Sequence, residues 1–224
     1  MPDKKPALAT VGGTATIIIT REPRWPALLA YLALGALNAA LPEELSLGPY
    51  WLLLAIVSVL MIPTVIFHRT GRHRLNGILS YVILGTVTAS MVASLVLMVM
   101  GLLSKRESPL TLLRAAAALW VANVLVFASW YWRLDAGGPN ERDTRTAHVE
   151  GAFLFPQMML SGKQARSWTP GFVDYLFLAF NTSTAFSPTD VPVLSRWAKL
   201  MMIVQALISL TTVALIAARA VNIL

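Results

Sequence analysis

Residues 77 to 103 of this chain form 27 consecutive positions without a charged side chain. A helix needs about 20 apolar residues to cross a hydrocarbon core of about 30 Å. Lipid cannot satisfy backbone polar groups, so such a run is α-helical and long enough to span a bilayer with tilt. Four further runs share its character: Pro26–Leu41, Tyr50–Phe67, Leu110–Trp132 and Leu200–Ala218. The first is short for a span, and the second carries Pro63 near its end. Trp25, Trp51, Trp130, Trp132 and Trp197 flank the runs, where amphipathic rings settle at headgroup depth. The chain therefore reads as an all-α membrane protein, a bundle of about five transmembrane helices.

Composition agrees: 56% of the residues are hydrophobic and 13% charged, against about 45–50% and about 25% in soluble domains. The net charge of +7 does not come from a patch of interleaved basic and aromatic residues, as nucleic-acid binding requires. The cations gather at the ends of apolar runs, which makes the lipid bilayer, and no nucleic acid, the expected partner. No cysteine is present, which excludes disulfides and thiolate chemistry. His68 and His73 are five residues apart, a poor spacing for two ligands on one helical face. Nothing resembles a nucleophile elbow, an HExxH motif or a Gly-rich phosphate loop. No enzyme activity, cofactor or metal is expected. The first 24 residues lack the long apolar region of a secretory signal peptide.

Four segments organise the chain: a polar arm over residues 1–24, four transmembrane helices over 25–133, a polar and interfacial connection over 134–171, and a short helix, polar turn and last transmembrane helix over 172–224. In the arm, "TATIIIT" is rich in β-branched residues and favours an extended arm lying near the membrane surface. Gly85, Ala89 and Ala93, and separately Ala115 to Ala118, are small residues that let helices approach closely. In the connection, "DAGGPNERDTRTAHVEG" reads as a solvent-exposed loop. "AFLFPQMML" suits a segment lying at the interface or packed on the bundle. Lysine and arginine set the orientation. With the N-terminus in the cytoplasm, Lys4, Lys5, Arg21, Arg24, Arg69, Arg72 and Arg74 lie inside, against Lys105, Arg106 and Arg114 outside.

The stretch "FVDYLFLAFNTSTAFSPTDVP" precedes the last apolar run. Pro170-Gly171 is a helix start signal, and Asp174 stands favourably at the positive end of the helix dipole. The hydroxyls, Asn181 and two prolines that follow predict the end of the helix, with Thr184, Thr189 and Asp190 in a turn and a new helix opening near Leu194. The order of short apolar helix, polar turn and full helix fits a re-entrant hairpin. It fits an interfacial helix with a loop at headgroup level as well.

This order resembles a potassium-channel pore: a pore helix at Asp174–Phe180, a filter at Thr182–Thr189, Asp190, and an inner helix at Leu200–Ala218. A potassium filter lines its path with backbone carbonyls and needs glycines for its backbone angles. Here Thr184 matches the filter threonine, but Phe186 and Pro188 stand at the glycine positions. A degenerate loop without potassium selectivity is implied. A second resemblance covers Phe172 to Leu224. An aromatic-rich helix carrying Asp174, Tyr175, Leu176 and Phe180 is followed by Phe186, then by Thr189, Asp190 and Val191, then by a helix with Asn222 near its end. This pattern resembles an uncharacterised family of bacterial multi-pass inner-membrane proteins, which implies that compartment and no chemistry.

Two functions are compatible with these residues. The first is a membrane scaffold or subunit whose polar turn fixes helix packing or a partner, with Asp190 capping the turn and Arg196 or Lys199 offsetting its charge. The alternative is a channel-like or transport protein whose path runs beside Asp174, Asn181, Thr182, Ser183, Thr184, Thr189 and Asp190, with Gln205 and Thr211 as further candidates. A homo-oligomer is compatible with both.

Overall fold

The computed structural model of the chain describes residues 7–9, 17–19, 22–104, 108–144, 151–159, 168–184 and 190–221. Two three-residue strands, β1 (Ala7–Ala9) and β2 (Ile17–Ile19), pair antiparallel. Among the described residues, everything larger is helical. The apolar runs become α1 (Trp25–Ala39), α2 (Leu52–Arg69), α3 (His73–Ser104) and α4 (Pro109–Leu134). Then come α5 (Pro139–Thr144), α6 (Pro156–Met159), α7 (Phe172–Thr184) and the last apolar helix, α8 (Arg196–Val221). Helices α2, α3, α4 and α8 are long and apolar enough to cross a membrane, whereas α1 has 15 residues and falls short of that length. On that ground the chain is a membrane protein.

The bundle is organised around α4, which packs against α1, α3, α7 and α8. Half of its most apolar window is buried, against 17% for α2 and for α8. Ser108 caps its start by accepting from Thr111 N at 3.2 Å, with Pro109 in the first turn, where no intrahelical donor is lost. Ala115 and Ala116 are buried and allow the close approach expected of them. Gly85 and Ala89 on α3 are exposed instead. That helix buries Ile83, Leu84, Val87, Met91 and Met98, because larger side chains make more dispersion contacts with the neighbours. Between α1 and α2 the close approach falls at Gly35, where a Cβ would stand 2.9 Å from Leu54 Cδ1 and 3.0 Å from Leu54 Cα.

One end of the bundle, here the proximal end, collects the starts of α1, α3, α7 and α8 and the ends of α2 and α4. Arg24 lies over the Trp132 ring at 5.6 Å, Phe172 meets Trp132 at 5.8 Å, and Asn76 donates to Thr64 O at 2.8 Å. The α4–α7 connection is packed onto this end. Phe153 and Phe155 are buried and cross Tyr175 edge-on at 6.2 and 5.4 Å. Residues 152–154 pair with 192–194, through Leu154 N to Pro192 O at 3.0 Å and Leu194 N to Ala152 O at 2.8 Å.

The reading of residues 135–151 as a solvent-exposed loop is corrected here. Asp135, Gly138 and Pro139 are buried, because the charges in this segment find partners inside the fold. The residues from 145 to 150 lie outside the described ones.

Candidate functional site

Helix α7 carries most of the residues singled out in the sequence. It starts after Pro170-Gly171, and Asp174 reaches back to accept from Gly171 N at 2.8 Å. This is the reciprocal half of a capping box, which satisfies a donor that the first turn leaves open. Burial pushes the Asp174 carboxyl above its ordinary range, and the Gly171 N–H works against that shift.

From there α7 descends along α4, antiparallel to it. Phe172 touches Trp132, Phe180 meets Trp120 at 5.9 Å, and Ser183 reaches Asn123 at 3.5 Å. Helix α8 descends beside it in the same direction: Trp197 meets Phe153 at 6.1 Å, and Ser209 accepts from Trp120 Nε1 at 3.0 Å.

The helix runs further than the residue types suggest. The expectation that Thr184 sits in a non-helical turn is overturned, since α7 continues through Asn181, Thr182, Ser183 and Thr184. Thr182 Oγ1 donates to Leu178 O at 2.8 Å and Thr184 Oγ1 to Phe180 O at 3.0 Å. Back-bonding to the preceding turn lets a hydroxyl residue occupy a helix it would otherwise disfavour.

Where the tip of α7 meets α4 and α8, five polar side chains are closed off completely: Asn123, Ser183, Gln205, Ser209 and Thr212. Gln205 is the hub. Its Oε1 accepts from Tyr131 Oη at 2.6 Å, and its Nε2 donates to Ala179 O at 2.7 Å and to Ser183 Oγ at 2.8 Å. Ser209 Oγ donates to Ser183 O at 2.6 Å, and Asn123 Nδ2 donates to Gln205 O at 3.2 Å. One acceptor is left over: Asn123 Oδ1 is buried without a hydrogen-bond partner among the described residues.

A second polar cluster fixes the proximal end of α7. Asp135 accepts from Tyr175 Oη at 2.7 Å and from Ala152 N at 2.5 Å. Gly151 is obligatory beside it, because a Cβ there would overlap the Asp135 carboxylate. Arg142 lies over the Tyr175 ring at 5.3 Å and donates to the carbonyls of Trp132 and Asp135 at 3.0 and 2.9 Å. Its Nη2 pairs with Glu22 at 3.0 Å. Glu22 takes Arg24 Nη1 at 3.3 Å and the Trp132 indole N–H as well. Arg24 reaches Asp143 at 2.6 Å.

Of the residues chosen from sequence, Thr182 and Ser183 are buried at the tip, and Gln205 holds Ser183 there. Asn181 is half-buried and Thr184 exposed. Thr211 is exposed, its hydroxyl bonded to Leu207 O. Asp190 is exposed, and no ion pair joins it to Arg196 or Lys199 among the described residues. Phe186, Pro188 and Thr189 lie outside the described residues. Sequence reasoning missed Asn123, Tyr131, Ser209, Asp135 and Glu22. An asparagine inside the apolar "LWVANVLVF" was the available signal, since polar residues in such helices face the bundle interior. Among the described residues, no group of three or more His, Asp or Glu is placed to hold a metal ion. No family model, curated protein or solved structure matches this chain.

Proposed function

We propose that the chain is a channel-like membrane protein that works as a homo-oligomer, with residues 172–190 as a re-entrant hairpin beside a water-filled path. The depth of the α7 tip carries this reading. Ser183 meets Gln205 nine residues after the start of α8, about 14 Å at 1.5 Å per residue. That is close to half of a hydrocarbon core of about 30 Å. Chain that turns back at such a depth is tolerated only against protein or water. At the tip, Thr184 is exposed and Asn181 only half-buried. Further copies of the chain, arranged around an aqueous path, supply the polar surroundings they need.

On this reading the N-terminus is cytoplasmic, following the arginines, and the hairpin enters from the cytoplasmic side of a bacterial inner membrane. Phe186 and Pro188 replace the glycines of a carbonyl ladder, so the path does not select potassium. The internal satisfaction of Gln205 favours a second reading, a scaffold or subunit whose polar residues only lock helices together.

Reconstitution into liposomes separates the two. The pore reading expects sodium and potassium fluxes of similar size, together with disulfide crosslinking between copies carrying Thr184→Cys. A monomer that passes neither ion leaves the scaffold. A strongly potassium-selective flux overturns the assignment of the loop.

A further inference from the structure

The α2–α3 turn and the last turn of α4 carry positive charge that no carboxylate among the described residues pairs with. No Asp or Glu occurs from residue 45 to residue 106, while Arg69, Arg72 and Arg74 crowd the turn. All three are exposed, and none has an ion-pair partner among the described residues.

Arg133 stands just inside them. Its side chain belongs to a residue only 6% exposed, its guanidinium lies 5.2 Å from the centre of the Tyr81 ring, and it too lacks a carboxylate at ion-pair distance among the described residues. Gly77 makes room for it, since a Cβ there would stand 3.3 Å from Nη2. Positions 74, 77 and 81 recur at helical spacing and share one face of α3. Arg74 therefore stands one turn beyond Gly77, on the face that Arg133 overlies.

On the α1 side, Tyr31 is 2% exposed and its hydroxyl has no hydrogen-bond partner among the described residues. It lies within electrostatic reach of Arg133. Arg142, another cation, also lies within electrostatic reach of Arg133, and it is already engaged by Glu22 and two carbonyls. A mostly buried guanidinium without a counter-charge is costly, and a stranded hydroxyl adds to that cost. One anion with several acceptor oxygens relieves both at once, and phosphate matches the planar fork of arginine.

We propose that Arg133, Tyr31 and the arginines of the α2–α3 turn form a site for the phosphate of an anionic phospholipid headgroup. The position fits a headgroup better than a soluble ion. Arg69 closes the apolar helix α2 and Tyr81 packs against Trp130 at 6.2 Å, which marks the membrane boundary where basic pockets between helices take acidic lipids.

Native mass spectrometry of the full-length protein in detergent tests this, with phosphatidylglycerol or phosphatidylcholine as the probe. Wild-type protein should retain phosphatidylglycerol over phosphatidylcholine. Arg133→Gln should weaken that retention about tenfold, the scale of one lost charge-assisted contact, and Tyr31→Phe should weaken it less. Arg196→Gln, at an exposed position on α8, should change nothing. If Arg133→Gln does not fold, Arg74→Gln and Tyr31→Phe decide. Displacement by inorganic phosphate alone, with no lipid preference, would keep the phosphate chemistry and assign the site to a soluble anion. Equal retention of both lipids without displacement by phosphate, or undiminished phosphatidylglycerol binding in all three variants, would overturn the proposal.

Discussion

Tyr131 of α4 gives its hydroxyl proton to Oε1 of Gln205 on α8 across 2.6 Å, and neither side chain reaches the surface. The same Gln205 holds two points on α7. Three helices therefore meet at one amide. Replacing it with leucine strands the Tyr131 hydroxyl, and a buried group left without its partner costs about 1–3 kcal/mol. Unfolding of Gln205→Leu in detergent should show that loss. In the same background Tyr131→Phe should become nearly neutral, so that the two changes are not additive. Additive losses would mean that the two side chains do not act together.

Asp135 and Gly151 are linked by space as much as by hydrogen bonding. Gly151→Ala forces a methyl group onto the Asp135 carboxylate, and overpacking of this kind costs about 1–3 kcal/mol. Tyr175→Phe removes a donor from the same carboxylate and should cost about as much. Both variants should free α7 before they unfold the bundle. Limited proteolysis between residues 160 and 172 would report it as faster cleavage, with α4 still protected.

Glu22 and Arg142 form an ion pair in which each side chain is only 6% exposed. Glu22→Ala leaves Arg142 buried without its carboxylate, a change on the order of 3–5 kcal/mol. Added salt screens buried pairs weakly, so wild-type stability should hardly change in high salt. A wild-type midpoint that falls steeply with sodium chloride would show that this pair is open to solvent.

Because the chain has no cysteine, single cysteines report depth cleanly. Asp190→Cys should label quickly with a water-soluble thiol reagent from the proximal side, given the exposure of Asp190. Ser183→Cys, fully enclosed beside Gln205, should resist until the protein unfolds. Cysteines at Thr184 and Ser187 test the proposed path. Labelling of both at a rate set by a permeant ion supports the pore, and full protection of both supports a closed scaffold. Asp190→Asn should leave the unfolding midpoint where it is.

The helices were legible because lipid leaves an apolar run one backbone solution; all five runs are helical, and α1 is the short one. The length of α7 was not legible. Serine and threonine disfavour a helix on local grounds, and only the carbonyls behind Thr182 and Thr184 and the amide of Gln205 reverse that preference. Asp135 was hidden for a related reason. Its surroundings in sequence are glycine, proline and charge, which read as a loop, while its partners Tyr175 and Ala152 arrive from 40 and 17 residues away. Gln205 stood out as a polar residue in an apolar helix, but nothing local tied it to Tyr131 or Asn123.

The pairing of residues 152–154 with 192–194 ties the α4–α7 connection to the segment that leads into α8. Phe153 lies in that pairing and also packs on Tyr175 in the first turn of α7 and on Trp197 in the first turn of α8. The start of α7 is thus tied to the helix that follows it. Phe153 therefore couples the start of α7 to the start of α8, as Gln205 couples the same two helices deeper in the bundle.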